Sequence, residues 1–202
     1  MGSVGRTRTF DVGTALDVAV GTFWQRGFDA TSVQLLCQAM DIQPGSVYAA
    51  FGSKRDLFVA ALRVYTRTVS AEAVERINAS PSGVRGLRDY FGHLVDAMVD
   101  GRRRWGCLIT NSLVELADRD PELAGMCQQH LGNLRTSFAG ALARARAAGE
   151  LRPGVGPGSA DFLVAVVQGM NVMAKTNPGR DALQAIADTA LAGLAEPTSD
   201  RS

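Results

Sequence analysis

The stretch DIQPGSVYAAFGSKRDLF, Asp41 to Phe58, decides the reading of this chain. It links two apolar-periodic segments through Pro-Gly-Ser, then Tyr and Phe, then Gly-Ser-Lys. Pro44 suits the first position of a helix, where its missing N–H costs nothing. Val47 and Phe51 stand four apart and share an inward face. Gly52-Ser53 breaks that short helix, and Ser53 caps the next one from Lys54. The stretch therefore predicts a short helix from Pro44 to about Ala50 with a slim, polar N-terminus.

Upstream, Leu16, Ala19, Val20, Phe23 and Trp24 recur at helical steps and predict an amphipathic helix from about Phe10 to Arg26, closed by Gly27. Thr31 or Ser32 then offers an N-cap hydroxyl to a second helix with Val33, Leu36, Cys37 and Met40 as its stripe. Downstream, Leu57, Phe58, Ala61, Leu62 and Tyr65 open a fourth helix that runs to about Asn78. Five more follow: one around Leu87–Met98, one over Cys107–Ala117, a long one capped by Asp120 with Pro121 at its start, one around Phe162–Met173 and one around Leu183–Leu194. No run alternates with period two, so the fold class is all-α, with about nine helices. A boundary falls at the start of the fourth helix or inside it. We divide the chain into 1–54 and 55–202.

The totals narrow the function. The chain has 202 residues, 46% of them apolar, and a net charge of +1. Residues 1–60 hold Arg6, Arg8, Arg26, Lys54 and Arg55 against Asp11, Asp17, Asp29, Asp41 and Asp56. Any anion binding must come from local placement rather than a global field. The N-terminal ten residues are too polar for a signal peptide, and Gln168 and Asn171 interrupt the longest apolar run. The chain reads as cytosolic, with no membrane partner. Three cysteines without a Cys-x-x-Cys pair, and two histidines, exclude a disulfide framework and a four-ligand zinc site. No cofactor is expected; PGVGPGS at 153–159 lacks the Gly-Lys-Ser/Thr of a phosphate loop.

Two short helices joined by a tight turn, after a longer one, form a helix-turn-helix unit whose second helix enters the major groove of double-stranded DNA. Pro44 and Gly45 then allow close backbone approach. Ser46 offers a hydroxyl to a base or phosphate, and the outward Tyr48 reaches phosphate. Thr31, Ser32 and Lys54 turn helix N-termini toward phosphate. The same pattern also suits an ordinary helix start in a helical bundle.

Residues Ala15 to Leu62 resemble the DNA-binding domain of the tetracycline-repressor (TetR) family. The pieces match in order: Arg-Gly-Phe closing the first helix, Thr-Ser before the second, Pro-Gly-Ser-Val-Tyr in the third and Phe-Gly-Ser-Lys before the fourth. GCLITNSLVELADRDPEL, Gly106 to Leu123, is similar to a segment of one branch of that family. The resemblance implies a homodimeric, one-component transcriptional regulator, a repressor released by a small-molecule ligand. It carries over Thr31, Ser32, Gln43, Ser46, Tyr48 and Lys54 as DNA-facing, with Gly45 at the close approach. Ala49 and Ala50 depart from the His or Tyr often found there. Either contacts are fewer, or a methyl meets a thymine methyl. Arg6 and Arg8 either reach the minor groove or form a loose tail.

The resemblance also implies that the remaining residues sense a ligand and dimerise. Ala165, Gly169, Ala187, Ala190 and Gly193 permit close helix packing between or within subunits. Phe91, Leu94, Met98, Trp105, Leu108, Met126, Leu134, Phe138, Met170 and Met173 line a pocket or simply a core. Asn111 and His130 are polar groups beside apolar stripes and either orient a ligand or are satisfied core groups. Cys107 opens a helix behind Arg102, Arg103 and Arg104. It is either a buried hydrophobe or a thiolate that reacts with electrophiles, with Lys175 nearby. The rival readings are an all-α enzyme, for which no catalytic set is evident, and an interaction module without DNA.

Overall fold

The computed structural model describes residues 10–101 and 103–196. Arg6, Arg8 and Arg102 lie outside them. Among the described residues the chain is helical, with one isolated antiparallel bridge, Leu151 to Ala195. It divides into two compact units, up to Tyr65 and from Thr66.

The first unit holds α1 (Val12–Arg26), α2 (Val33–Met40), α3 (Pro44–Phe51) and α4 (Lys54–Tyr65). Asp11 caps α1 by accepting from the Thr14 N–H at 2.6 Å, and Ser32, not Thr31, caps α2. Gly27 closes α1 at φ 84°, with its N–H on the Phe23 carbonyl. The core is aromatic. Phe58 of α4 meets Phe23 edge-on at 4.8 Å and Phe28 at 5.0 Å, and Trp24 stands edge-on to Tyr65 at 4.9 Å. Full burial of one such ring contributes on the order of 1.5–3 kcal/mol. That packing of α4 on α1 moves the border of the first unit from the expected 54/55 to 65/66.

Helical backbone continues beyond α4 through a π-helical turn (Thr66–Ser70) into α5 (Ala71–Ala79). The expected fourth helix, to about Asn78, is thus three consecutive pieces. The second unit adds α6 (Gly83–Val99), α7 (Leu108–Leu116), α8 (Pro121–Ala147), α9 (Ser159–Ala174) and α10 (Arg180–Ala192). Helix α6 packs on α5, α8 and α10, and α9 packs on α8 and α10. Tyr90, Phe91 and Phe138 form a ring cluster, surrounded by Leu94, Met98, Leu163, Val167, Met170 and Leu183. Helices α6 and α8 approach so closely that a Cβ on Gly83 would lie 2.0 Å from the Ala141 carbonyl oxygen.

A small clamp closes the second unit. Glu150 accepts the Val84 N–H at the start of α6 through its carboxylate at 3.1 Å, and the Glu196 N–H through its carbonyl at 2.9 Å. The Arg152 N–H donates to the Leu194 carbonyl, and its guanidinium to that of Ala195. Of the small residues expected to pack helices, Ala187 and Ala190 face this unit's own core, whereas Ala165, Gly169 and Gly193 are exposed.

Candidate nucleic-acid interface and ligand chamber

Helix α3 is held by one side chain and shows the rest. Val47 is 4% exposed, and Ile42 in the preceding turn is also buried. The turn itself depends on Asp41, which adopts a left-handed conformation at φ 55° and donates its N–H to the Cys37 and Gln38 carbonyls. Asp and Asn are among the few residues that tolerate that conformation in place of glycine, and the sequence offered only "Asp-Ile-Gln" as its signal. From there Gln43 starts α3 in extended geometry, and its side chain caps nothing. Gln43, Pro44, Gly45, Ala49 and Ala50 are exposed, Ser46 is half-buried, and Tyr48 is 51% exposed. Gly45 and Ala49 lie opposite the buried Val47, with Ser46 and Tyr48 on either flank.

Two of the expected DNA-facing side chains are engaged elsewhere. Thr31 is fully buried, and its hydroxyl donates to the Gly27 carbonyl at 2.6 Å. A β-branched residue at the loop exit fills the core while back-bonding to the end of α1. The Lys54 ammonium donates to the Phe28 carbonyl at 2.9 Å and the Thr31 carbonyl at 3.0 Å, and it sits 4.0 Å above the Phe28 ring centroid. It stitches the α1–α2 loop to α4 instead of standing free on the surface. Ser32 remains exposed, its Oγ accepting from the Leu35 N–H at 3.1 Å.

The second unit contains a small chamber of mixed lining, about 20 Å³, room for roughly one water molecule. Ser70 and Val74 contribute from the π turn and α5, Tyr90 from α6, His130 and Leu134 from α8, and Val167, Gln168 and Asn171 from α9. Arg103 and Cys107 enter from the loop before α7. Gly106 lets that loop come close: at φ 75°, its Cβ would lie 2.4 Å from the Asn171 carbonyl oxygen and 3.5 Å from Lys175 Cε. Arg103 is 7% exposed, with a guanidinium nitrogen 3.5 Å from Asn171 Oδ1. Nothing in three consecutive arginines distinguishes the buried one in the sequence.

Burial dominates the electrostatics here. It raises the Tyr90 phenol well above its usual value, against the pull of Arg103. It pushes the Cys127 thiol up to about 12, with Cys107 adding to the rise. It holds the His130 imidazole below its usual value, and Arg103 adds to that shift. Burial thus favours the neutral form of each of these three groups, of which Tyr90 and His130 line the chamber beside Arg103.

Of the residues expected to line a pocket, Cys107, His130 and Leu134 line this chamber, and Phe91 lines a separate cleft with Arg88, Arg152, Gln184 and Asp188. Phe91, Leu94, Met98, Phe138 and Met170 belong to the core cluster. Leu108 is buried at the start of α7. Trp105 is half-buried under Arg104, Asn111 donates its amide to the Trp105 carbonyl at 2.9 Å, and Met126 is half-buried. Met173 is 39% exposed on the outer side of α9 and lines no interior, because the core face of that helix is taken by Leu163, Val167, Met170 and Ala174. Thr110 and Gln168, joined by a short hydrogen bond between their side chains, brace α7 against α9.

Comparison with known proteins agrees with both units. Residues 15–61 match the family described as bacterial regulatory proteins, tetR family, and residues 83–197 match the tetracyclin repressor-like C-terminal domain. The uncharacterized HTH-type transcriptional regulator YezE of Bacillus subtilis is 36% identical over 148 residues, covering 73% of this chain and 76% of its own. The HTH-type transcriptional repressor ComR of Escherichia coli is 29% identical over 191 residues, covering 94% and 91%. Among solved structures, a cysteine mutant of the TetR-family regulator CifR, complexed with a 26 bp operator duplex, superposes with a TM-score of 0.84 at 30% identity, covering 94% of this chain and all of that one. Helix α3 on its anchored turn, followed by a helical second unit, accordingly places the chain in the TetR family of helix-turn-helix transcriptional regulators.

Proposed function

We propose that this chain is a one-component repressor that binds a palindromic operator as a homodimer, reading each half-site with the helix Pro44–Ala50. The observation that carries this is the outward surface of α3, with Val47 sunk into the core and Gln43, Gly45, Tyr48 and Ala49 exposed around it. Ser32 at the start of α2 presents a helix N-terminus to the backbone of the same duplex. Thr31 and Lys54 support the interface from inside. The operator-bound relative supports the mode of binding.

Two-fold pairing rests on the outer faces of α9 and α10. Phe162, Ala165, Gly169, Val172 and Met173 recur at helical spacing and are all exposed, and Ala182, Ala185 and Gly193 continue the small-residue surface on α10. Such faces bury well against a second copy in a four-helix arrangement. Pairing sets the two reading helices about one DNA turn, roughly 34–36 Å, apart.

The chamber around Cys107 and His130 is the sensing site. Its ligand is a small polar molecule, or an electrophile to which Cys107 adds. With an activated alkene, the sulfur forms one C–S bond and the thiol proton ends on the neighbouring carbon. Either event enlarges what the small chamber holds and displaces Ser70 and Val74, which follow α4 in the chain. The protein acts in the cytoplasm, by binding rather than catalysis; its relatives are regulators.

Fluorescence anisotropy with duplexes from the chain's own upstream region tests the reading. Binding that weakens steeply with salt and is lost in Tyr48→Ala is the expected result. No binding to any duplex overturns it.

A further inference from the structure

We infer that the reading helix recognises A·T pairs, with Ala49 set against a thymine methyl and Gln43 against an adenine edge. This rests on the DNA-binding reading above and specifies the bases it requires.

From Gln43 to Ser53 no residue carries a charge. Guanine is most often read by a bidentate Arg or Lys. Helix α3 has neither, so its own side chains cannot make that contact. What it does present is defined by the anchor. Val47 points into the core at 4% exposure. At about 100° per residue, Gly45 and Ala49 lie two positions either side of it and so face almost directly outward. Nothing stands within 4 Å of a Cβ placed on Gly45. The centre of the outward face is therefore one glycine and one methyl group, small enough for the helix to sit deep in the groove. The base-edge feature that matches an aliphatic methyl is the C5-methyl of thymine.

Gln43 adds a donor and an acceptor at the leading end. Its side chain is exposed and makes no cap bond, although it occupies the cap position. An amide in that place matches the N6 donor and N7 acceptor of adenine. Tyr48, to one side of the outward centre, is left for the backbone.

The test selects half-sites from a random duplex pool with the intact protein, then measures affinity by anisotropy for the selected duplex and for versions with dT replaced by dU. We expect A·T pairs under α3. We expect one replacement in a single half-site to weaken binding about fourfold, the equivalent of about 0.8 kcal/mol for one buried methyl group. In Ala49→Gly and Ala49→Ser, the dT and dU duplexes should bind equally. In Gln43→Ala, the preference for adenine over guanine at one position should fall at least fivefold. Half-sites centred on G·C pairs, or wild-type binding indifferent to dU, overturn the inference while leaving DNA binding intact. A pool from which no duplex is enriched overturns the broader reading and this one with it.

Discussion

Lys54 separates a structural charge from a phosphate-seeking one. Replacing it with Met keeps most of the aliphatic stem and removes the ammonium. The two carbonyls it serves, Phe28 and Thr31, then lose a charged donor at 2.9 and 3.0 Å, and the Phe28 ring loses its cation. A charged hydrogen bond contributes about 1.5–3 kcal/mol and a cation–π contact about 0.5–1 kcal/mol when exposed. Lys54 is only half-buried, so solvent replaces part of each. The net loss comes to about 2–3 kcal/mol for the first unit. With an m-value of about 1–2 kcal/mol/M for a unit of this size, the urea midpoint falls by about 1–3 M. The two tryptophans make the measurement selective. Trp24 stands against Tyr65 in the first unit, and Trp105 lies in the second. In a Trp105→Phe background the fluorescence reports the first unit alone. A midpoint unchanged by Lys54→Met would refute the stitch and return Lys54 to the solvent.

Gly83→Ala forces a methyl against the Ala141 carbonyl, so the second unit should lose about 1–3 kcal/mol or more, read from the Trp105 transition. His130 is held below its ordinary value in the folded chain, so the unfolded chain binds the extra proton first. Its contribution is complete above about pH 6.5 and shrinks as pH falls below that, and His130→Gln should flatten the fall in urea stability below about pH 6.5. Phe162→Glu should convert the dimer to monomer in sedimentation and weaken operator binding at least tenfold, as loss of a paired half-site requires. Alkylation of wild type should release DNA, whereas treated Cys107→Ser stays bound; equal release from both would remove Cys107 as the reactive group.

The reading unit was legible because its parts are short-range. Pro44 at a helix start, Gly27 at a helix end and Val47 four before Phe51 each act within one or two turns. Of the bonds that contradict expectation, that of Thr31 to Gly27 is local, and those of Lys54 are long. Lys54 reaches Phe28 and Thr31 across 26 and 23 residues, and no periodicity encodes which carbonyl an ammonium finds. The chamber was half legible for the same reason. Cys107 and His130 stand out as chemistry on apolar stripes, but Arg103 reads like its neighbours until the fold turns it inward. Met173 failed as a pocket residue because a helix buried on one side and bare on the other uses the same apolar residues for both.

The tie between the α8–α9 linker and the residues after α10 bears on how the protein can be handled. Chain shortened to before Leu194 would forfeit the acceptors for the Arg152 backbone and guanidinium, and the Glu150 carbonyl would lose its donor as well. Affinity handles and reporter fusions are therefore best attached downstream of Glu196, where they leave the seam stitched. A handle grafted between Leu194 and Glu196 would disturb the partners of Glu150, whose carboxylate secures the start of α6.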